Sequence, residues 1–150
     1  MPDPVNMVHE PCHTYGLPHA NYWSTYNKRS STGAGESQDA QNPFDLMGYL
    51  GGTDLNVLSR HHLGWLAPAN VFTVETNGAY RVSSYDNRDV TGTLALKIRR
   101  DERCSYWIGL VENLLPFSAL ANGAYVLWGF AVVRSREKLE PKHGRVRDKL

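Results

Sequence analysis

Residues 9–19 carry the side chains best suited to chemistry, and they read His-Glu-Pro-Cys-His-Thr-Tyr-Gly-Leu-Pro-His. His9 and His13 are four residues apart, so on a helix both imidazoles lie on one face and can reach a single ion. Gly16 accepts a positive φ and permits the turn that ends such a helix, after which the chain can return His19 as a third nitrogen ligand. Three protein ligands leave the fourth position of a tetrahedral zinc open to water, as in catalytic sites.

Glu10 lies beside the first of these histidines and is predicted to be the general base for a water on the ion. The pattern has five fixed positions: three histidines, one glutamate and one glycine. At ordinary residue frequencies, it occurs by chance in a fraction of roughly 10⁻⁵ of chains of this length. The alternative interpretation is three unrelated histidines on a polar helix and loop. The pattern predicts one zinc ion per chain as the cofactor.

The zinc motif, with a methionine further along the chain, resembles the metzincin peptidases. Their signature is His-Glu-x-x-His-x-x-Gly-x-x-His followed by a methionine turn. Met47, within Asp-Leu-Met-Gly, is similar to the methionine of that turn. Three runs look like those of gametolysin-type peptidases. They are Tyr-Gly-Leu-Pro-His-Ala-Asn at 15–21, Pro-Phe-Asp-Leu-Met-Gly at 43–48 and Leu-Gly-Trp-Leu at 63–66.

The resemblance implies zinc-dependent hydrolysis of peptide bonds in an extracellular or cell-wall protein or glycoprotein. Glu10 would take a proton from the zinc-bound water and return it to the leaving amine, and Met47 would pack beneath the metal. Tyr49, two residues after Met47, has the spacing of an extra zinc ligand, with a packing tyrosine as the alternative. The rival hypothesis is a catalytically inactive remnant that serves as an extracellular glycoprotein-binding or structural module.

The zinc motif begins at residue 9, so the upstream subdomain of a metzincin, with its substrate-binding edge strand, is missing from this sequence. We therefore expect the chain to be the C-terminal part of a longer catalytic domain. Pro11 also departs from the family pattern. In a helix interior it removes the hydrogen bond to the carbonyl of Met7 and typically costs ~3 kcal/mol.

Composition excludes some classes of protein. The chain has 150 residues, 41% of them hydrophobic, and a net charge of +1, which argues against disorder and against a nucleic-acid-binding protein. No stretch approaches the roughly 18 apolar residues of a membrane span, and the first twenty residues lack a secretory signal peptide. Cys12 and Cys104 allow at most one disulfide, and sequence alone does not decide whether it forms. The oligomeric state is open.

The predicted fold is α+β: a partial zinc-helix subdomain (1–67), a small all-β, sandwich-like unit (68–134) and a basic tail (135–150). The first helix is expected to start at Asp3-Pro4 and to stop near Gly16. Residues 20–45 are polar and predict a long loop, and Thr53-Asp54 is expected to cap a second helix. Strands are predicted at 71–74, 80–82, 93–98, 106–111 and 125–133.

Overall fold

The computed structural model of the chain describes residues 4–49, 52, 54–112 and 123–130. Within them the helices are α1 (Pro4–Thr14) and α2 (Val57–Leu63), and a 3-10 turn covers Pro68–Asn70. The strands are β1 (Tyr22–Thr25), β2 (Gly35–Gln38), β3 (Val71–Val74), β4 (Ala95–Arg99), β5 (Cys104–Leu110) and β6 (Ala124–Phe130). This mixture of helices and sheets confirms the predicted α+β class. No helix in the described ranges is long and apolar enough to cross a bilayer.

Helix α1 forms where the sequence predicts it, from Pro4 to Thr14. Its C-terminal end is marked by Gly16, whose φ of 84° is left-handed and suits a residue without a Cβ. Pro11 lies inside the helix on an exposed position, so α1 carries the interior proline expected from the early start at Pro4. Asp3, at the predicted start of this helix, lies outside the described residues.

Residues 20–45 do not form only a loop, which corrects the sequence prediction. Strands β1 and β2 pair as an antiparallel hairpin, with Trp23 opposite Ser37. The indole of Trp23 also donates a hydrogen bond to the Gly33 carbonyl at 2.9 Å. The strands went unpredicted because β2 is mostly exposed, so its residues show no alternation of apolar and polar types.

Helix α2 begins later than the sequence suggests. The predicted cap was Thr53-Asp54, but the side chain of Asn56 accepts the Ser59 N–H at 2.9 Å and is the N-cap. Asp54 instead accepts a hydrogen bond from the Arg60 guanidinium at 2.6 Å. Thr53 lies outside the described residues. The prediction failed because Asp and Asn are both good N-cap residues. The structure uses Asn56 as the cap, while the Asp54 carboxylate pairs with Arg60.

Strands β3 to β6 form one four-stranded sheet in the order β3-β4-β5-β6, with β3 and β4 parallel and the other neighbours antiparallel. One buried core joins this sheet to α2 and its flanks; it comprises Val57, Leu66, Tyr85, Ala95, Trp107 and Val111. Within the described residues, α2 packs against β5 of this sheet, and the sandwich-like arrangement stays a prediction. The predicted strand at 80–82 is wrong: those residues are irregular.

A second buried core lies beneath α1. It comprises Cys12, Leu17, Leu46, Met47 and Leu55. Cys12 and Cys104 are both buried and both have free thiols, so no disulfide links them. Burial, and to a smaller extent the charge of Asp45, raises the pKa of the Cys12 thiol. The basic tail predicted at 135–150 and the end of the strand predicted at 125–133 lie outside the described residues.

Candidate metal centre

The structure brings the three predicted ligands together. The ring centroids of His9 and His13 are 4.9 Å apart, and that of His19 lies 5.5 Å from the first and 5.0 Å from the second. One ring nitrogen of each histidine lies within 4.8 Å of those of the other two. A cluster this tight can hold one metal ion.

Each of the three rings is oriented by an oxygen atom on its Nδ1 side. The Nδ1 of His9 donates to the Leu46 carbonyl at 2.9 Å, and that of His13 donates to the Leu17 carbonyl at 2.8 Å. A carbonyl only accepts, so these Nδ1 atoms carry the hydrogen and a neutral ring keeps its lone pair on Nε2. Outer hydrogen bonds of this kind fix the tautomer and orientation of metal-binding histidines.

The third ring is oriented by a carboxylate. The Nδ1 of His19 is 3.0 Å from Oδ2 of Asp39, which is the acceptor in this pair. Asp39 immediately follows β2, and the register of the hairpin places Gln38 opposite Tyr22, near the residues that follow His19. The hairpin that the sequence failed to predict therefore supplies the partner of the third histidine.

His9 provides the most direct test of whether a metal fits here. Its side chain is 1% exposed, and its Nε2 has no hydrogen-bond partner among the described residues. A buried polar atom without a partner typically costs about 1–3 kcal/mol, which a metal bond at that nitrogen would offset. Three imidazole nitrogens suit zinc and also copper, nickel or iron, so the donor set fits the predicted zinc without selecting it alone.

Backbone hydrogen bonds bring His19 back to the helix. After the turn at Gly16, the N–H of Ala20 donates to the Met47 carbonyl at 2.8 Å, and the Ala20 carbonyl accepts from Asn42 N–H at 3.1 Å. The segment that carries His19 is thus tied directly to the predicted methionine turn.

The predicted methionine turn is a tightly packed buried loop. Met47 is 0% exposed and packs in the core that also contains Cys12 from α1. The buried carboxylate of Asp45 accepts the Met47 N–H at 2.7 Å and the Asn56 N–H at 2.8 Å. Burial raises the pKa of Asp45, and these donors oppose the rise. A Cβ on Gly48 would overlap the Asn42 carbonyl oxygen, so this close approach requires glycine.

Tyr49 lies at the rim of the histidine cluster. Its ring stacks on His9 with centroids 5.3 Å apart and an angle of 17°, and its hydroxyl is 3.4 Å from Nε2 of His19. The side chain is 57% exposed, so it is not a core tyrosine. Its role as an extra zinc ligand stays a prediction.

Glu10 is exposed on α1, one residue after the buried His9. Among the described residues, its carboxylate forms no hydrogen bond and no ion pair. Its role as the base stays a prediction.

Asp39 is the site residue that sequence reasoning missed. A histidine ligand commonly has a carboxylate or carbonyl partner, so an acidic residue in 20–45 could have been sought on that ground. The choice between Glu36 and Asp39 depends on the register of the hairpin, which no local pattern reveals.

The adjacent pair His61 and His62 does not join the cluster. The ring of His61 packs against Trp107, with ring centroids 4.9 Å apart. His61 and His62 are both half-buried. Neighbouring residues point about 100° apart on a helix, which agrees with their separate environments.

Comparison with protein-family models, curated proteins and solved structures found no match to this chain.

Proposed function

We propose that the chain is the zinc-binding part of a gametolysin-like metzincin, a zinc-dependent endopeptidase acting on extracellular or cell-wall proteins. One observation carries the proposal: three histidines in the metzincin spacing converge, and each has an outer oxygen partner on Nδ1. Such partners are typical of metal-binding histidines. The buried, unpartnered Nε2 of His9 supports a metal in preference to a purely structural histidine cluster.

His9, His13 and His19 would hold the zinc. When bound, zinc supplies a Lewis acid that lowers the pKa of a water toward neutrality and polarises the carbonyl of the scissile bond. The Leu46 and Leu17 carbonyls and the Asp39 carboxylate keep the three rings in place. A rigid ligand set reduces the rearrangement needed when substrate binds.

Glu10 takes the proton from the attacking water in this proposal and then gives it to the leaving amine. Its exposure supports the role, because the carboxylate must meet both the water and the substrate. In the same proposal, Tyr49 donates a hydrogen bond to the oxygen that gains charge, because its hydroxyl is 3.4 Å from Nε2 of His19, one of the three proposed ligands.

Glu10→Gln separates catalysis from metal binding. We expect this variant to keep the zinc content of the native chain while hydrolysis of fluorogenic peptides falls by a factor of about 10²–10⁴, the usual contribution of a general base. Glu36→Gln on the exposed strand β2 is the matched control, and its activity should equal that of the native chain.

Undiminished hydrolysis in Glu10→Gln would contradict the mechanism, and loss of zinc would make Glu10 a ligand instead. A zinc-loaded native chain without any peptidase activity would favour the alternative of a non-catalytic, glycoprotein-binding or structural module.

A further inference from the structure

A large cleft opens beside the histidine cluster. Its volume is about 1130 Å³, and His19 forms part of its wall. Residues of β1, β6 and α2 also line the cleft. A ligand in this cleft would therefore extend directly from one of the three metal-binding histidines.

The walls of the cleft suit an extended peptide. Trp23 on β1 and Trp128 on β6 meet with ring centroids 4.8 Å apart and provide an aromatic surface. In the described part of the chain, β1 pairs only with β2 and β6 pairs only with β5, so each strand has an unpaired edge. Unpaired edges can form backbone hydrogen bonds with an added strand, while wall pockets select its side chains.

The charges of the cleft are of one sign. Lys28 and Arg29, in the turn after β1, both line it, and no Asp or Glu does. Both are exposed, and neither has an ion-pair partner among the described residues. Because one-signed charge along a cleft concentrates ligands of the opposite sign, this surface favours carboxylate groups.

We propose that this cleft binds an acidic segment of the peptide substrate. Carboxylate side chains of that segment pair with Lys28 and Arg29, and its apolar or aromatic side chains pack on Trp23 and Trp128. The inference rests on the proposed peptidase for what happens at the zinc. The binding itself depends only on the cleft and persists without metal.

The test compares two labelled octapeptides by fluorescence anisotropy. One contains glutamate residues beside a tryptophan, and the other has glutamine at the same positions. We expect the chelator-treated native chain to bind the acidic peptide about three- to tenfold more tightly, as two exposed ion pairs can provide. This preference should shrink in 0.5 M NaCl because salt screens exposed charges.

Two double variants of equal net charge assign the preference. Lys28→Ala with Arg29→Ala should abolish the difference between the peptides. Arg81→Ala with Arg88→Ala removes two exposed arginines that do not line the cleft and should leave the difference unchanged. Equal binding of both peptides by the native chain, or an undiminished preference without Lys28 and Arg29, would overturn the proposal. The proposal would also be overturned if a uronic-acid oligosaccharide bound at Lys28 and Arg29 without displacing the labelled acidic peptide.

The two proposals fail in different ways. Preference for the acidic peptide without any hydrolysis by the zinc-loaded chain would leave the cleft in place and refute the peptidase. Hydrolysis of both peptides with equal affinity would support the peptidase and refute the acidic specificity.

Discussion

Two helices of this chain carry a pair of histidines, and only one pair becomes part of a candidate site. On α1, His9 and His13 are four residues apart and meet edge to face, with ring centroids 4.9 Å apart. On α2, His61 and His62 are adjacent, and His61 packs against Trp107 of the sheet. Spacing therefore decides whether two imidazoles can serve one ion, because only residues three or four apart share a helical face.

The two pairs also differ in what surrounds them. The Nδ1 of His13 donates to the Leu17 carbonyl in the turn after α1, and that of His9 donates to the Leu46 carbonyl beside Met47. His61 packs on the ring of Trp107 in the core beside α2. On α1, the helical spacing is thus combined with carbonyl oxygens that orient both rings, as is typical of metal-binding histidines.

The largest expected effect comes from removing a ligand. His13→Ala should weaken zinc binding by more than about a hundredfold, since changes to outer partners alone cost 10–100-fold. His62→Ala is the matched control on α2 and should leave the affinity unchanged. Competition with a chromophoric chelator measures both. Equal affinities in the two variants would remove the distinction between the helices.

The buried turn below the site should respond in stability. Asp45→Asn leaves buried N–H donors of Met47 and Asn56 facing an amide, and we expect a loss of about 3 kcal/mol in the free energy of unfolding. Asp89→Asn, at an exposed position, should change it by less than about 0.5 kcal/mol. Urea unfolding distinguishes them, and equal midpoints would contradict the role of Asp45.

The pH dependence of this loss has a definite sign. Burial raises the pKa of Asp45, so the folded chain holds this proton more tightly than the unfolded chain does. The stability that the residue contributes is then fully present below the unfolded pKa of about 3.9 and is lost as the pH rises through the folded pKa. The destabilisation by Asp45→Asn should be larger near pH 4 than at pH 7, and the opposite trend would contradict the raised pKa.

A smaller effect is expected at the partner of the third histidine. Asp39→Asn should weaken zinc binding about tenfold, because an amide holds the His19 ring less firmly than a carboxylate does. Glu36→Gln on the same hairpin is the control. The unfolding midpoint of Asp39→Asn should stay near that of the native chain, since this side chain is 72% exposed. An unchanged zinc affinity would mean that His19 needs no partner.

The sequence predicted the elements that local signals define. Helix α1 follows from the proline at its start and the glycine after its end, and β3 matches the predicted strand at 71–74. The three histidines were predicted as a cluster because their spacing is itself a geometric statement about one helix and one turn. These successes share a cause: each depends on residues close together in the chain.

The parts that the sequence did not predict depend on distant contacts. The β1–β2 hairpin is held by pairing across a polar loop, with Tyr22 opposite Gln38. The oxygen partners of His9 and His19 lie 37 and 20 residues away. No periodicity within a window reports such contacts, so Asp39 could not be selected from the sequence alone.

The central claim is that three histidines hold one zinc ion, and metal analysis of the dialysed native chain tests it most directly. We predict one zinc per chain at neutral pH and none in a variant with alanine at His9, His13 and His19. Far-ultraviolet circular dichroism of that variant checks that it remains folded. A native chain without zinc, or a folded triple variant that keeps it, would contradict the account.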